Sequence, residues 1–177
     1  MAGMPASAPT PAVEDSRNHT ARLSGRERCE MPMASISQPW TWCYDRVIPT
    51  EVAAGRQVLS DVLTRLEAEH WSQHDIFSIH LAMEEALVNA IQHGNRLDRR
   101  KQVHMICCLG PDRIRIEIAD EGAGFDPNTL PDPTCPEQLR SPCGRGVMLM
   151  RAFMSRVQYN AAGNRVVLEK DRSQGNP

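Results

Sequence analysis

The segment Arg113–Asp120 constrains the fold more than any other part of the chain. Charged residues alternate there with Ile114, Ile116 and Ile118, which is the period of a strand that buries one face. The same period places Asp120 on the buried face, at the carboxyl end of the strand. A carboxylate that faces inward is costly unless a hydrogen-bond donor meets it, and the exocyclic amine of a bound ligand would be such a donor.

Glycines follow this aspartate at once, in the run Asp-Glu-Gly-Ala-Gly-Phe-Asp-Pro that ends at Pro127. Gly122 and Gly124 allow the backbone to approach a ligand closely. The run leads into proline and loop and not into a helix, so it lacks the context of a dinucleotide-binding fingerprint. A plain turn after a strand would explain the glycines but not the inward aspartate.

The remaining pattern predicts the order β-α-α-β-β-loop-α-β-β. We expect strands at 40–48, 103–109, 113–120, 157–160 and 166–170. We expect a first helix capped by Thr50 and two further helices at 75–93 and 147–154. The apolar stripe of the second helix is Ile76, Ile79, His80, Met83, Leu87 and Ala90. This order predicts an α+β, two-layer sandwich in which helices cover one face of a mostly antiparallel, mixed sheet.

Glu85 and Asn89 lie four residues apart on the second predicted helix, so they share a face, away from the apolar stripe. A carboxylate and an amide oxygen together could hold a hydrated Mg²⁺ or orient a hydroxyl group. A solvated helix face is the alternative interpretation of this pair taken alone.

A proline-rich loop spans about 125–143, a length typical of a lid or a binding loop. It ends in Gly144-Arg-Gly146, directly before the third predicted helix. Free N–H groups at a helix N-terminus form an anion site suited to phosphate, and glycines permit close approach.

Composition limits the function classes. A net charge of −2 over 177 residues gives no broad attraction to nucleic acid or to anionic membranes. No apolar stretch is long enough for a membrane span, and no signal peptide is evident, so we expect a cytoplasmic protein. Residues 1–35 and 171–177 are expected to be disordered tails around a domain at 36–170, with Met31 and Met33 as alternative translation starts.

The six cysteines show neither C-x-x-C spacing nor a histidine partner at zinc-site spacing. We therefore expect reduced thiols. A redox pair between Cys135 and Cys143, which are close together in the proline-rich loop, is the alternative.

In combination, these motifs resemble the N, G1 and G2 boxes of the Bergerat-type ATPases, which include gyrase B, MutL, the 90-kilodalton heat-shock chaperone and the histidine kinases. Within that superfamily the chain most resembles the anti-sigma-factor serine/threonine kinases of bacterial partner-switching systems. The three boxes correspond to residues 84–95, 120–127 and 144–151, and the resemblance extends over about 40–170.

The resemblance implies a role for each candidate residue. Glu85 would be the general base, and Asn89 would be the Mg²⁺ ligand. Asp120 would bind the adenine amino group of ATP. In the G1 box, Gly122 and Gly124 would shape the pocket. In the G2 box, Gly144, Arg145 and Gly146 would contact the phosphates. Many relatives support the adenine aspartate with a Gly-Thr pair in the last strand, whereas this chain has Gly163-Asn164, so that support must come from elsewhere or from water.

The implied function is that of a Mg·ATP-dependent protein serine/threonine kinase. Such a kinase is commonly a homodimer that sequesters a sigma factor and phosphorylates an anti-anti-sigma partner with a STAS domain. A non-catalytic module that binds ATP is the first alternative. A detached histidine kinase domain is the second, and it is less favoured because no helical pair with a phosphoacceptor histidine precedes the domain.

Overall fold

The computed structural model describes residues 40–127 and 145–173. The predicted tail 1–35, most of the proline-rich loop and Gly144 lie outside the described residues, as does the side chain of Arg145. Within the described part, the strands are β1 (Trp42–Pro49), β2 (Gln102–Leu109), β3 (Arg113–Asp120), β4 (Arg156–Tyr159) and β5 (Arg165–Asp171). The α-helices are α1 (Val52–Ala68), α2 (Gln73–Val88) and α3 (Arg145–Phe153), and a π-helical turn (Asn89–Gly94) continues α2.

The described strands form one sheet in the order β1-β2-β3-β5-β4. The predicted α+β class is confirmed. The four strand pairings in this sheet are all antiparallel, whereas the sequence predicts a mostly antiparallel, mixed sheet. β3 is central, so the end of β3 that carries Asp120 is flanked by a strand on each side. This position explains why a carboxylate at the strand end is drawn partly out of water.

The core lies on the face of the sheet that carries Ile116. That residue is fully buried and stands opposite Cys107 in β2 and Leu168 in β5. The buried positions of α2 join the same core: Ile76, Ile79, Ala82, Met83, Ala86 and Leu87. His80 was predicted in this stripe, but its side chain is 44% exposed beside Glu84 and belongs to the helix surface.

Thr50 does not cap α1 as predicted. The N-cap residue is Glu51, and its side chain makes no capping hydrogen bond. Thr50 is buried instead, and its hydroxyl donates to the Lys101 carbonyl oxygen at 2.7 Å. A buried hydroxyl must find an acceptor, and here the acceptor lies in the segment before β2 rather than in the helix.

The ordered domain continues past residue 170, where the sequence analysis ended it. Asp171 is the last residue of β5, and the Arg172 guanidinium donates to the Glu69 and His70 carbonyl oxygens at 3.0 and 2.6 Å. Ser173 donates from its backbone N–H to Asp75, the buried carboxylate in the first turn of α2, at 3.0 Å. Polar contacts with the end of α1 and the start of α2 therefore hold these residues, while 174–177 lie outside the described residues.

In the part of the chain that the structure describes, no helix is both long and apolar enough to cross a bilayer.

Candidate nucleotide site

The Asp120 carboxylate is half-buried at the end of β3, on the same face as Ile116. Its Oδ1 atom accepts a hydrogen bond from the Gly122 backbone N–H at 2.8 Å. Burial raises the pKa of Asp120, and the Gly122 N–H and the Lys101 ammonium group act in the opposite direction. The carboxylate thus retains acceptor capacity that a ligand amine can use.

Glycines line this carboxylate because no side chain fits there. A Cβ atom on Gly94 would lie 2.4 Å from Asp120 Cγ, and one on Gly122 would lie 2.2 Å from the Gly94 carbonyl oxygen. Both distances are too short for any real Cβ contact. The end of the π-helical turn and the loop after β3 therefore meet backbone to backbone beside the carboxylate.

The next part of this loop is fastened to the β4–β5 turn. Gly124 and Gly163 both have a φ of +72°, in the left-handed region that favours glycine, and a Cβ on Gly124 would lie 1.9 Å from the Ala162 carbonyl oxygen. The Phe125 N–H donates to that same oxygen at 3.1 Å. The ring of Phe125 meets the ring of Tyr159 edge-on at 5.1 Å between centroids.

Asn164 takes the place of the threonine that the resemblance in sequence implied, and it supports the backbone of Asp120 rather than its carboxylate. The Asp120 N–H donates to the Asn164 carbonyl oxygen at 2.9 Å, and the Asn164 side-chain amide donates to the Asp120 carbonyl oxygen at 3.4 Å. The support for the carboxylate that the sequence left open comes from the Gly122 N–H.

Asn95 is a positioning residue that sequence reasoning missed. It is fully buried, and its amide donates to Thr50 Oγ1 at 2.9 Å and to the Gln102 carbonyl oxygen at 2.8 Å. Its Oδ1 accepts from the Glu121 N–H at 2.8 Å. One side chain thus joins the end of β1, the start of β2 and the residue after Asp120. The available signal was a polar residue directly after Gly94, the glycine that follows the predicted end of the second helix at residue 93.

The second predicted helix is not α-helical to its end. Asn89–Gly94 is a π-helical turn, and the Asn95 N–H donates to the Ala90 carbonyl oxygen, five residues earlier, at 2.8 Å. The wider turn carries Gly94 against the Asp120 carboxylate and allows Asn95 to point inward. Such turns are rare and often lie at functional sites, and an apolar periodicity of 3.6 residues does not reveal them.

The second group of candidate residues meets at the start of α3. A Cβ atom on Gly146 would lie 2.4 Å from Glu85 Oε2 and 3.6 Å from Asn89 Nδ2. Glu85 and Asn89 are both half-buried. The acid of α2 and the amide at the start of the π-helical turn therefore adjoin the first turn of α3, where backbone N–H groups lack partners within the helix.

A model of the histidine kinase-like ATPase domain matches residues 48–170. The chain belongs to the histidine kinase-like ATPase domain family. The matched range contains the three motifs and every described element from the end of β1 to β5, so the predicted resemblance to this superfamily is confirmed.

Among the relatives of this family member are bacterial serine kinases. The serine/threonine-protein kinase BtrW of Bordetella bronchiseptica is 29% identical over 115 residues, which cover 62% of this chain and 81% of BtrW. The serine-protein kinase RsbW of Bacillus subtilis is 30% identical over 130 residues, covering 69% and 79%. The anti-sigma F factor of Oceanobacillus iheyensis is 30% identical over 128 residues, covering 68% and 84%.

A solved structure of the RsbU and RsbW domains of a Mycobacterium tuberculosis protein has the same fold, with a TM-score of 0.53 at 17% identity. The match covers 77% of this chain and 34% of that longer chain. It supports the histidine kinase-like fold alone.

For this family member the structure brings the candidate residues together in two groups. Asp120, Gly122 and Gly94 form what we call the adenine end, and Glu85, Asn89 and Gly146 form what we call the phosphate end. The π-helical turn links them, because Asn89 begins it and Gly94 ends it. Among the described residues, no three His, Cys, Asp or Glu side chains cluster as a metal site.

Proposed function

We propose that this chain binds Mg·ATP across the two ends of the site and transfers the γ-phosphoryl group to a serine or threonine of a partner protein. The observation that carries the proposal is the meeting of Glu85 and Asn89 with the N-terminus of α3 at Gly146. This meeting brings together a candidate base, a candidate metal ligand and a helix N-terminus that could bind phosphate.

The adenine end fits a ligand that offers an exocyclic amine. Asp120 is half-buried, and the neighbouring backbone at Gly94 and Gly122 leaves no room for a Cβ atom. An amine would donate to the carboxylate, whereas the carbonyl oxygen of guanine at the same place would repel it. We therefore propose that Asp120 selects adenine over guanine, with Gly124 holding the loop that borders it.

At the phosphate end, the Glu85 carboxylate already lies at the N-terminus of α3, where the helix dipole favours negative charge. A phosphate at the same terminus would face this carboxylate, so the two anions need a cation between them. Bound Mg²⁺ would supply that charge neutralisation. We propose that Asn89 holds this ion and that Gly144, Arg145 and Gly146 receive the phosphates.

Glu85 is the proposed general base. Its Oε2 atom lies at Gly146, beside the proposed phosphate position, and its half-buried setting leaves it accessible to a substrate hydroxyl. A carboxylate there can accept the hydroxyl proton as the oxygen attacks the phosphorus. Asn89 lies beside Gly146 but has no basic group, so the acid and the amide have separate roles.

The proposed partners follow the printed names of the relatives, which are serine-protein kinases and an anti-sigma F factor. We propose that this chain, as a homodimer in the cytoplasm, sequesters a sigma factor and phosphorylates an anti-anti-sigma protein with a STAS domain. The net charge of −2 gives no support to a nucleic-acid partner.

The test is a transfer assay with γ-labelled ATP, Mg²⁺ and a STAS-domain protein encoded beside the gene of this chain. We expect the label on a serine or threonine of the STAS protein. A STAS variant with alanine at that residue is the control and should remain unlabelled. Tight ATP binding without transfer to any neighbouring STAS protein would favour the non-catalytic ATP-binding module.

A further inference from the structure

Two cysteines face each other at the edge of the sheet. β1 is an edge strand, and its register with β2 sets Cys43 directly opposite Cys108. Opposed residues of an antiparallel pair have Cα atoms about 4.5–5.5 Å apart and side chains on one face, within the span of a disulfide.

The two thiols differ in their access to solvent. Cys43 is exposed, whereas Cys108 is 6% exposed. Burial, with a contribution from the Cys43 thiol, raises the pKa of Cys108 to about 12. An oxidant in solution therefore reaches Cys43 first, whereas Cys108 is shielded from solvent and stays a protonated thiol.

Cys107 provides a control for Cys108 within the same strand. It is the next residue along β2, but it stands opposite Tyr44 on the core face and is fully buried. Burial raises its pKa as well. Its side chain points away from Cys43 because successive residues of a strand alternate between faces.

We propose that Cys43 and Cys108 form a peroxide-sensitive dithiol that closes into a disulfide between β1 and β2. The Cys43 sulfur attacks one oxygen of hydrogen peroxide, the O–O bond breaks, and Cys43 sulfenic acid and water form. The Cys108 sulfur then attacks the Cys43 sulfur and the S–O bond breaks. The hydroxide leaves with the Cys108 proton as a second water, so two thiols are oxidised and one peroxide is reduced.

This dithiol is separate from the nucleotide site. Cys108 stands opposite Arg115 in β3, on the outer face of the sheet, whereas Asp120 lies on the core face with Ile116. Its oxidation therefore needs no nucleotide and does not depend on the proposed kinase function.

The experiment uses the full-length chain with Cys29, Cys135 and Cys143 changed to serine, which leaves the three cysteines of the sheet. Hydrogen peroxide is added, the chain is denatured so that buried thiols can react, the remaining free thiols are counted with a chromogenic disulfide, and the digest is mapped by mass spectrometry. We expect the count to fall from three thiols to one, with a peptide cross-linked from Cys43 to Cys108 that dithiothreitol releases.

Variants in the same background separate the roles. Cys107→Ala should still form the cross-link, whereas Cys43→Ser should retain its remaining thiols. Cys108→Ser should stop at the Cys43 sulfenic acid, which dimedone traps. A Cys43–Cys43 link between two chains, a link that Cys107→Ala abolishes while it stays folded, or oxidation of Cys43 without any cross-link would each overturn the proposal.

Discussion

The adenine end and the phosphate end of the site are built differently. At the adenine end, Asp120 is fixed by backbone contacts with Gly94 and Gly122, and a buried side chain, Asn95, joins three neighbouring segments. At the phosphate end, side chains of α2 meet α3 at Gly146. The proposed recognition of the base would thus depend on a backbone frame made by several elements, while the proposed chemistry would depend on side chains where two helices meet. Mutations at the adenine end should therefore change ATP affinity and stability, whereas mutations at the phosphate end should change phosphotransfer and Mg²⁺-dependent binding.

The largest expected effect is on catalysis at the phosphate end. Glu85→Gln keeps the size of the side chain and removes the proposed base, so phosphotransfer to the proposed STAS-domain partner should fall ~100-fold or more. Mg·ATP affinity and the free energy of unfolding should stay near those of the wild type. Transfer rates and nucleotide titrations measure the two quantities separately.

Glu84→Gln is the matched control, because Glu84 is the preceding residue, is exposed and lies beside His80 rather than at α3. It should transfer phosphate at the wild-type rate. Equal transfer rates for Glu85→Gln and Glu84→Gln would show that Glu85 is not the base. They would also contradict the assignment of catalysis to the phosphate end.

The next effect concerns base recognition at the adenine end. Asp120→Asn should weaken ATP binding by roughly tenfold to a hundredfold, because a buried polar contact is worth ~1–3 kcal/mol. GTP binding should change much less, since the carboxylate does not favour guanine. Asp112→Asn, the same change at an exposed position in the turn between β2 and β3, is the control. ATP affinity unchanged by Asp120→Asn in a folded protein would show that this carboxylate does not meet the base.

The contrast between the two ends also explains what the sequence could predict. Asp120 was placed on the core face from the alternation of the three isoleucines, and β3 was predicted with its correct ends, because a strand of period two is a local pattern. Glu85 and Asn89 could be placed on one helix face for the same reason. These inferences need only residues near one another in the chain.

Asn95 and the π-helical turn could not be inferred in this way. The partners of Asn95 belong to segments distant in sequence, at Thr50 and Glu121, and only the folded chain brings them together. Thr50 was predicted to cap α1 because local propensity favours that role, but its hydroxyl donates to the Lys101 carbonyl oxygen instead. The missed features are thus the long-range ones, and they lie mainly at the adenine end.

Asn95→Ala tests whether this frame supports recognition. The change removes the hydrogen bonds that Asn95 makes with the Gln102 carbonyl oxygen and the Glu121 N–H, so the free energy of unfolding should fall by about 1–3 kcal/mol. ATP affinity should also fall, by up to ~tenfold, because Glu121 adjoins Asp120. Asn89→Ala should show the opposite pattern: little change in stability, since Asn89 is half-buried, but weaker Mg²⁺-dependent binding. Urea unfolding and ATP titrations with and without Mg²⁺ measure both. If Asn95→Ala and Asn89→Ala changed stability and ATP affinity in the same way, the two residues would not have the separate structural and metal-binding roles proposed for them.

The smallest expected effect is a pH dependence of opposite sign for two aspartates, Asp120 and Asp75. Asp120 lies at the adenine end, and Asp75 lies in the first turn of α2, the helix that carries Glu85. Burial raises the pKa of Asp120 above its ordinary 3.8. Burial also acts to raise the pKa of Asp75, but hydrogen bonds from Ser173 and the nearby Lys170 outweigh it and hold this pKa below 3.8.

The raised pKa means that Asp120 contributes stability that is present below pH 3.8 and is lost as the pH rises through its folded-state pKa. Asp120→Asn should therefore gain stability relative to the wild type as the pH rises from 3.8 towards neutrality. Asp75 contributes stability that is present above pH 3.8 and is lost as the pH falls through its lowered pKa. Asp75→Asn should be destabilised by about 1 kcal/mol at neutral pH, and the deficit should shrink only below pH 3.8. Urea unfolding of both variants and the wild type across this range measures the two differences, and a shared sign would contradict the opposite environments of the two carboxylates.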